Sequence, residues 1–329
     1  MKNILLTYDY EVFFVKFGSI EKSLLEPTEA ILDKMNRYSM HGTFFVDVLF
    51  LDYLRRDGQS ADYKRICEQL RKMVSQGHRI ELHLHPHWLD TRDGVADFSR
   101  YKIHDFSDEE QSDMFELGLN ILYEIAYTEN KQYKVMAYRA GGWCIQPFYK
   151  IKTNFTKYGI KADSSVAYGM YQKTDSHYFD FRNVPKYEWY RFEDSVEVKD
   201  KFGSFIEIPI STFETTPIKK LYKRWIKKRD RKKIVSYGDG YGMSVSKFIL
   251  LKKLFEKRAM YSIDGIFDVN NMLKMVVETS GNTVNFISHP KNLTNYSLEY
   301  LDSIGKYNCK FPSFSEYYEE KIENFDNAR

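Results

Sequence analysis

Short apolar runs alternate along this chain with longer stretches in which apolar residues recur every three or four positions. The short runs lie at 4–8, 43–48, 79–83, 133–138, 160–166, 205–210 and 284–288. Bounded by turn residues, they predict seven strands. The longer stretches predict helices at 26–38, 62–76, 107–127, 147–158, 245–258, 269–279 and 298–304. In the second of these, Ile66, Leu70, Met73 and Val74 share a face and Gly77 is placed to cap the end. In the third, Ser107 and Glu110 form a capping box. Strand and helix in regular alternation imply parallel strands joined by crossover helices, an α/β fold. Nothing resembling a linker or a repeat divides the chain, so 1–329 is expected to be one domain, with a basic helical insertion at about 212–243.

Chemistry-bearing residues gather where strands end. Asp9 and Glu11 follow the first strand, Arg139-Ala140-Gly141-Gly142-Trp143 the fourth, and His289-Pro290 the seventh. The third runs into Glu81-Leu82-His83-Leu84-His85-Pro86-His87-Trp88, which holds three of the eight histidines. In parallel α/β barrels the C-terminal ends of the strands carry the active site. Asp9, Glu11, His83, His87, Arg139 and His289 are therefore expected to converge. Neutral imidazoles this close together suit a metal ion. If the stretch stays extended, each two-residue step is roughly 6.6 Å, and His83 and His87 sit about 13 Å apart. Either His83 and His85 chelate from a strand, or the chain turns near Pro86 and returns His87 as an i, i+4 partner.

Composition narrows the class. Hydrophobic content of 43% and charged content of 29% are ordinary for a globular protein, while 26 Tyr and 24 Phe supply aromatic surface of the kind that lines sugar clefts. Cys67, Cys144 and Cys309 make no disulfide framework. The three apolar residues after Met1-Lys2-Asn3 are too few for a signal peptide, so a cytoplasmic location is expected. The segment 219–233 holds ten basic residues and one acid, a local charge of +9 in a chain of +3, which leaves −6 for the remainder. Leu221, Tyr222, Trp225 and Ile226 fall on one face of the helix it would form. Such a segment suits an anionic membrane surface or a phosphate-rich ligand, or packs its apolar face on the barrel. No nucleic-acid-binding motif is present.

Five stretches in order resemble the motifs of the NodB-homology polysaccharide deacetylases: Thr7-Tyr8-Asp9-Tyr10-Glu11, Gly42-Thr43-Phe44-Phe45-Val46, the histidine stretch, Tyr138-Arg139-Ala140-Gly141-Gly142 and Ile287-Ser288-His289-Pro290. The flavour is that of the subgroup in bacterial lipopolysaccharide and capsule gene clusters. The resemblance implies a distorted seven-stranded barrel and one divalent ion, zinc by preference. It also implies hydrolysis of an acetyl group from an N-acetylated sugar. Carried over by position, Asp9 is the catalytic base, Arg139 holds it, and His289 is the acid. His83 and His87 are metal histidines, with Glu11 as the third ligand because Tyr10 stands where the family has a second aspartate. The third motif lacks the family's proline, and the tryptophan-containing fourth motif is not evident. Asp163 and Asp180 are alternatives for tuning His289. A backbone N–H near Gly142 would serve the oxyanion, and Trp88 and Trp143 are placed either to stack on a sugar or to pack in the core. The basic segment points to a nucleotide- or lipid-diphosphate-linked substrate and to contact with the inner face of the membrane. Two other readings fit the same residues: an amidohydrolase on a small non-sugar amide, and a catalytically silent sugar-binding or membrane-associated scaffold.

Overall fold

The computed structural model describes residues 1–12, 19–174, 176–240 and 254–323. Its strands are β1 (Lys2–Tyr10), β2 (Gly42–Asp47), β3 (Arg79–Leu84), β4 (Ala137–Ala140), β5 (Ala162–Asp163), β6 (Tyr171–Lys173), β7 (Tyr178–Asp180), β8 (Tyr190–Phe192), β9 (Phe205–Glu207), β10 (Thr212–Glu214), β11 (Arg258–Met260), β12 (Thr283–Ser288) and β13 (Cys309–Lys310). Its α-helices are α1 (Glu26–Arg37), α2 (Val48–Arg56), α3 (Ser60–Ser75), α4 (Asp108–Ala126), α5 (Lys152–Tyr158), α6 (Pro217–Arg229), α7 (Val269–Glu278), α8 (Asn295–Ile304) and α9 (Phe314–Tyr318). The main sheet runs β12-β1-β2-β3-β4-β5-β9 with every neighbour parallel, then adds β8 antiparallel at the end.

The two ends of that series meet just past β9. Ser211 N–H donates to the Asn285 carbonyl at 2.9 Å, and Asn285 N–H donates to Ser211 Oγ at 2.9 Å. The Asn285 amide also donates to the Ile208 and Pro209 carbonyls at 3.1 and 3.2 Å. The sheet thus curls into a distorted seven-stranded barrel whose seam is held by a few bonds rather than a ladder. This is the expected architecture.

Side chains alternate between the two faces with period two. Leu5, Phe45, Ala137, Ala162, Ile206 and Ile208 form one apolar cluster inside the barrel, closed below by Phe314, Tyr317 and Ile322. Ile4, Leu6, Tyr8 and Tyr10 belong to the outer layer with the helices. Above the inner apolar floor, the inward positions of β1 continue as Thr7, Asp9 and then Glu11, so one strand carries the site upward.

Some elements differ from expectation. The apolar run after residue 48 is helix α2, started by the Asp47 carboxylate, which accepts the Phe50 N–H. β4 begins at Ala137 rather than 133 because the Met136 and Ala137 N–H groups donate to the buried Glu81 carboxylate. The helix expected at 147–158 is a short 3-10 turn, Phe148–Lys150, followed by α5. The helix expected at 245–258 lies largely on 241–253, outside the described residues, and Arg258 opens β11. Between β9 and β12 the chain leaves the barrel into β10 and α6, returns as β11 antiparallel to β10, and rejoins the barrel at Tyr261, which bonds Ser211 and Ile287.

Candidate active site

Asp9 lies inside the mouth of the barrel, 3% exposed, and faces Arg139 of β4, which has no exposure at all. Arg139 Nη1 donates to Asp9 Oδ1 at 2.6 Å. The rest of the guanidinium is also spoken for. Nη2 donates to Thr7 Oγ1 and Ser164 Oγ, Nε donates to the Ser164 carbonyl, and the plane stacks 4.0 Å above the Phe45 ring. A planar cation with every edge bonded is a rigid holder, and Arg suits this role better than Lys. Asp9 keeps its other oxygen toward the barrel mouth.

Two residues on, Glu11 meets the histidines. Its Oε2 lies 3.1 Å from His83 Nε2 and 2.6 Å from His85 Nε2, and its Oε1 accepts from Lys291 Nζ at 2.7 Å. One donor atom from each of Glu11, His83 and His85 falls within 4.8 Å of the others, and all three residues are buried. His83 and His85 sit two apart at the end of β3, on the same inward face, so the strand geometry presents both rings. His87 does not join this group. Pro86 ends the strand and starts a 3-10 turn, Pro86–Leu89, which carries the His87 ring to Phe98 and Tyr101, 5.1 and 5.8 Å away. The expected pair is His83 with His87; the donor atoms that converge with Glu11 here are those of His83 and His85, and the His87 ring lies 5.7 Å from the His85 ring.

His83 Nδ1–H donates to the Arg139 carbonyl at 2.8 Å. That bond turns Nε2 toward Glu11 and His85. One carboxylate oxygen and two imidazole nitrogens converge there, a donor set of the kind that can hold a metal ion. Burial pushes the Glu11 carboxyl up, but Lys291 and His85 outweigh it and hold it well below its ordinary value. Burial pushes the His83 imidazolium down, and Glu11 and Asp9 reverse that. For His85 burial prevails, and its pKa falls to about 4.

His289, after β12, occupies the opposite wall. Its Nε2 is 3.7 Å from both Asp9 and Glu11, and its Nδ1–H donates to Asp264 Oδ2 at 2.6 Å. Asp264 also accepts the His289 backbone N–H, which fixes the ring on two sides. Burial lowers the His289 pKa, yet Asp264, Asp9 and Glu11 leave it raised overall. The His289 and Asp264 side chains are 18% and 19% exposed, against 5% for Asp9, so the site opens on this side.

Neither Asp163 nor Asp180 reaches His289. Asp163 is buried behind Arg139 with Ser165 and Glu207, and Asp180 pairs with Arg182. Trp88 is also misplaced as a sugar platform. It is wholly buried, donates from Nε1 to Asp47 at 2.7 Å and packs on Phe50 and Tyr53. Trp143 is half-buried and meets Phe179 edge-on. Gly142 has φ +59, and a Cβ there would come within 2.8 Å of Tyr101 and His177, so only glycine fits. Sequence reasoning missed Asp264, Lys291, Ser164 and Tyr101. Of these only Lys291 lies beside a quoted motif, two positions past His289, and it reaches Glu11 from the 3-10 turn Pro290–Asn292.

No family model matches the chain, and no curated protein matches its sequence. Solved structures do match. A Mycobacterium smegmatis protein assigned as a polysaccharide deacetylase aligns over 98% of this chain and 91% of its own, at 13% identity and a TM-score of 0.53. A 4-alpha-glucanotransferase of Thermococcus litoralis aligns over 98% of this chain and 40% of its own, at 10% identity and a TM-score of 0.55. A Bacillus subtilis peptidoglycan deacetylase aligns at a TM-score of 0.40 and 14% identity, too distant to add weight. These likenesses establish the barrel. Two different activities on equally similar barrels leave function to the site.

Proposed function

We propose that the protein is a hydrolase that removes the acetyl group from an N-acetylated sugar. The observation that carries this reading is the convergence of three units at one barrel mouth. They are the Glu11–His83–His85 donor set, Asp9 held by Arg139, and His289 held by Asp264. Two imidazoles and one carboxylate fit a catalytic divalent ion such as zinc. Such an ion, when bound, polarises the acyl carbonyl and makes water acidic. The remaining work falls to the chain. Arg139 fixes Asp9 so that its outer oxygen takes the proton of the attacking water. His289, its Nδ1–H tied to Asp264, presents Nε2 to deliver a proton to the departing amine, a poor leaving group without it. The Gly142 backbone N–H serves the oxyanion. Lys291 holds one oxygen of Glu11 and leaves the other for the donor set.

The substrate is proposed to be nucleotide- or lipid-diphosphate-linked, in surface polysaccharide biosynthesis at the inner face of the membrane. The support is α6, in which no residue is buried. Of the apolar face, Leu221, Tyr222 and Trp225 are 50–59% exposed beside the cations and Ile226 is half-buried, so most of that face is left uncovered. No helix among the described residues is long and apolar enough to cross a membrane. The test is mass spectrometry on a panel of N-acetylated nucleotide sugars and lipid-linked sugars with zinc-loaded protein. A loss of about 42 Da, one acetyl group exchanged for hydrogen, is the expected result. Intact substrates across the panel, with metal bound, sink the reading.

A further inference from the structure

The barrel has a second concavity, away from the histidines. β9 and β12 touch only near Ser211 and Asn285; below that seam the first half of β12 pairs with β1 on one edge, and among the described residues no strand pairs with its other edge. A cavity of about 670 Å³ fills the gap, within the range of small-ligand sites. Its floor includes Thr283 and Val284, five to six residues and roughly 16–20 Å of strand before His289. One ligand residue cannot occupy both places.

The lining has a marked chemistry. Four cations face it, Lys186, Arg191, Lys199 and Lys201, against one carboxylate, Glu188. Glu188 is already engaged by the Asn282 N–H. Lys199 Nζ lies 3.9 Å over the Tyr187 ring and Lys186 Nζ 5.8 Å over Tyr168. Among the described residues no carboxylate pairs with Lys186, Lys199 or Lys201. Arg191 is braced by a bond to the Gly203 carbonyl at 3.0 Å. Trp189 and Tyr187 supply aromatic faces, half-buried and 56% exposed respectively. The edge of β12 and the Thr279–Gly281 turn add backbone groups for hydroxyls.

We propose that this seam cavity is a binding site for an anionic saccharide, a sugar carrying carboxylate or phosphate, separate from the catalytic mouth. Aromatic faces take the apolar side of a pyranose, and the cations take its charge. The inference does not depend on deacetylation, because binding here needs neither the histidines nor Asp9.

The test is calorimetric titration of the full chain with tetragalacturonate, with glucose 1-phosphate, which carries neither acetyl group nor nucleotide, and with neutral cellotetraose. At least one anionic probe is expected to saturate with Kd below about 1 mM. A Lys199→Glu/Lys201→Glu variant should weaken it about tenfold or more, and so should salt raised from about 0.05 to about 0.5 M. Trp189→Ala should weaken it as well. Whichever probe loses affinity in the charge-reversed variant tells whether carboxylate or phosphate is read. Circular dichroism of the variants, whose altered lysines are exposed, checks the fold. The proposal is overturned if neither anionic probe saturates, if cellotetraose binds as tightly, or if charge reversal leaves every Kd unchanged.

Discussion

Two regions concentrate charge in this molecule, and they do so in opposite ways. At the barrel mouth Asp9, Glu11, Arg139 and Lys291 are all buried, and each has an opposite charge within 2.6–2.7 Å. On α6 and the turn after it, ten cations share fifteen positions with one acid, and none is buried. Interior charge survives only as matched sets, because desolvation of an unpaired ion costs several kcal/mol. Such a set is rigid and barely feels salt. Surface charge is individually weak and screened. It acts only as a sum, and only against an anionic partner.

The largest effect should come from breaking a matched set. Asp9→Asn is expected to cut deacetylation roughly 100- to 10,000-fold, the usual cost of losing a general base. It should also destabilise the fold by about 3–5 kcal/mol, since Arg139 then keeps a buried charge without its partner. Asp9→Asn/Arg139→Met should recover much of that stability in urea titrations and none of the activity. If Asp9→Asn stays active within a few-fold, Asp9 is not the base.

Next in size is the donor set. His85→Ala should lose zinc by more than the roughly 10- to 100-fold that removal of an outer partner costs, while His87→Ala keeps it. Elemental analysis after zinc loading and dialysis reads the difference. The reverse pattern would restore His87 as the ligand and show that the turn after Pro86 moves when metal binds. Chelation should abolish activity and added zinc return it.

That pair of histidines shows how far the sequence could be read. The alternation of elements gave parallel strands with crossover helices, the resemblance gave the barrel, and strand ends gave Asp9, Glu11, His83, Arg139 and His289, because period-two alternation carries every second residue to the mouth. The same periodicity leaves His85 open as a partner of His83 from an extended strand. The spacing borrowed from a family pattern pointed to His87 instead, and the turn at Pro86 brings the His85 nitrogen, rather than that of His87, beside Glu11. Asp264 was not legible. It reaches His289 from a loop 25 residues upstream, across the end of the β10–β11 excursion, and no local pattern encodes that approach. The sequence leaves Trp88 between a sugar face and the core, because proximity to a motif says nothing of which way a turn points its side chain; the structure places it in the core.

A smaller effect tests what the interior does to a group with no matching charge beside it. His78 is buried, its Nδ1 accepts the Gly42 N–H at 3.0 Å, and its Nε2–H faces Asn36 Oδ1 at 3.2 Å. Burial first, then the nearby His41, pushes its pKa down to about 4, with Glu316 opposing. The neutral ring is the folded form. Its stabilisation is present above the unfolded value of about 6.5 and is lost as pH falls toward about 4, because the unfolded chain binds the proton first. Between pH 6.5 and 5 the loss should be about 2 kcal/mol. Urea titrations at both pH values should show this loss shrinking in His78→Gln. An equal loss in the variant assigns it to other groups, His104 among them.

The smallest single effect belongs to α6, where no one charge is decisive. If the helix rests on an anionic leaflet, each cation near the surface contributes about 1 kcal/mol. Lys228→Gln should therefore weaken binding to phosphatidylserine vesicles only about fivefold. Trp225→Ala should weaken it too, because that ring is 56% exposed beside Tyr222 and has no role in the core. Salt is the sharper probe. Raising it from about 0.1 to about 1 M shortens the Debye length from about 10 to about 3 Å, so vesicle binding should fade. The Asp9–Arg139 contact, shielded from ions, should hold over the same range, and zinc retention and the urea midpoint should shift little. Binding that persists at high salt would mean the aromatic face, not the charge, holds the helix down. No binding at low salt would leave α6 a solvated face with no part in membrane contact.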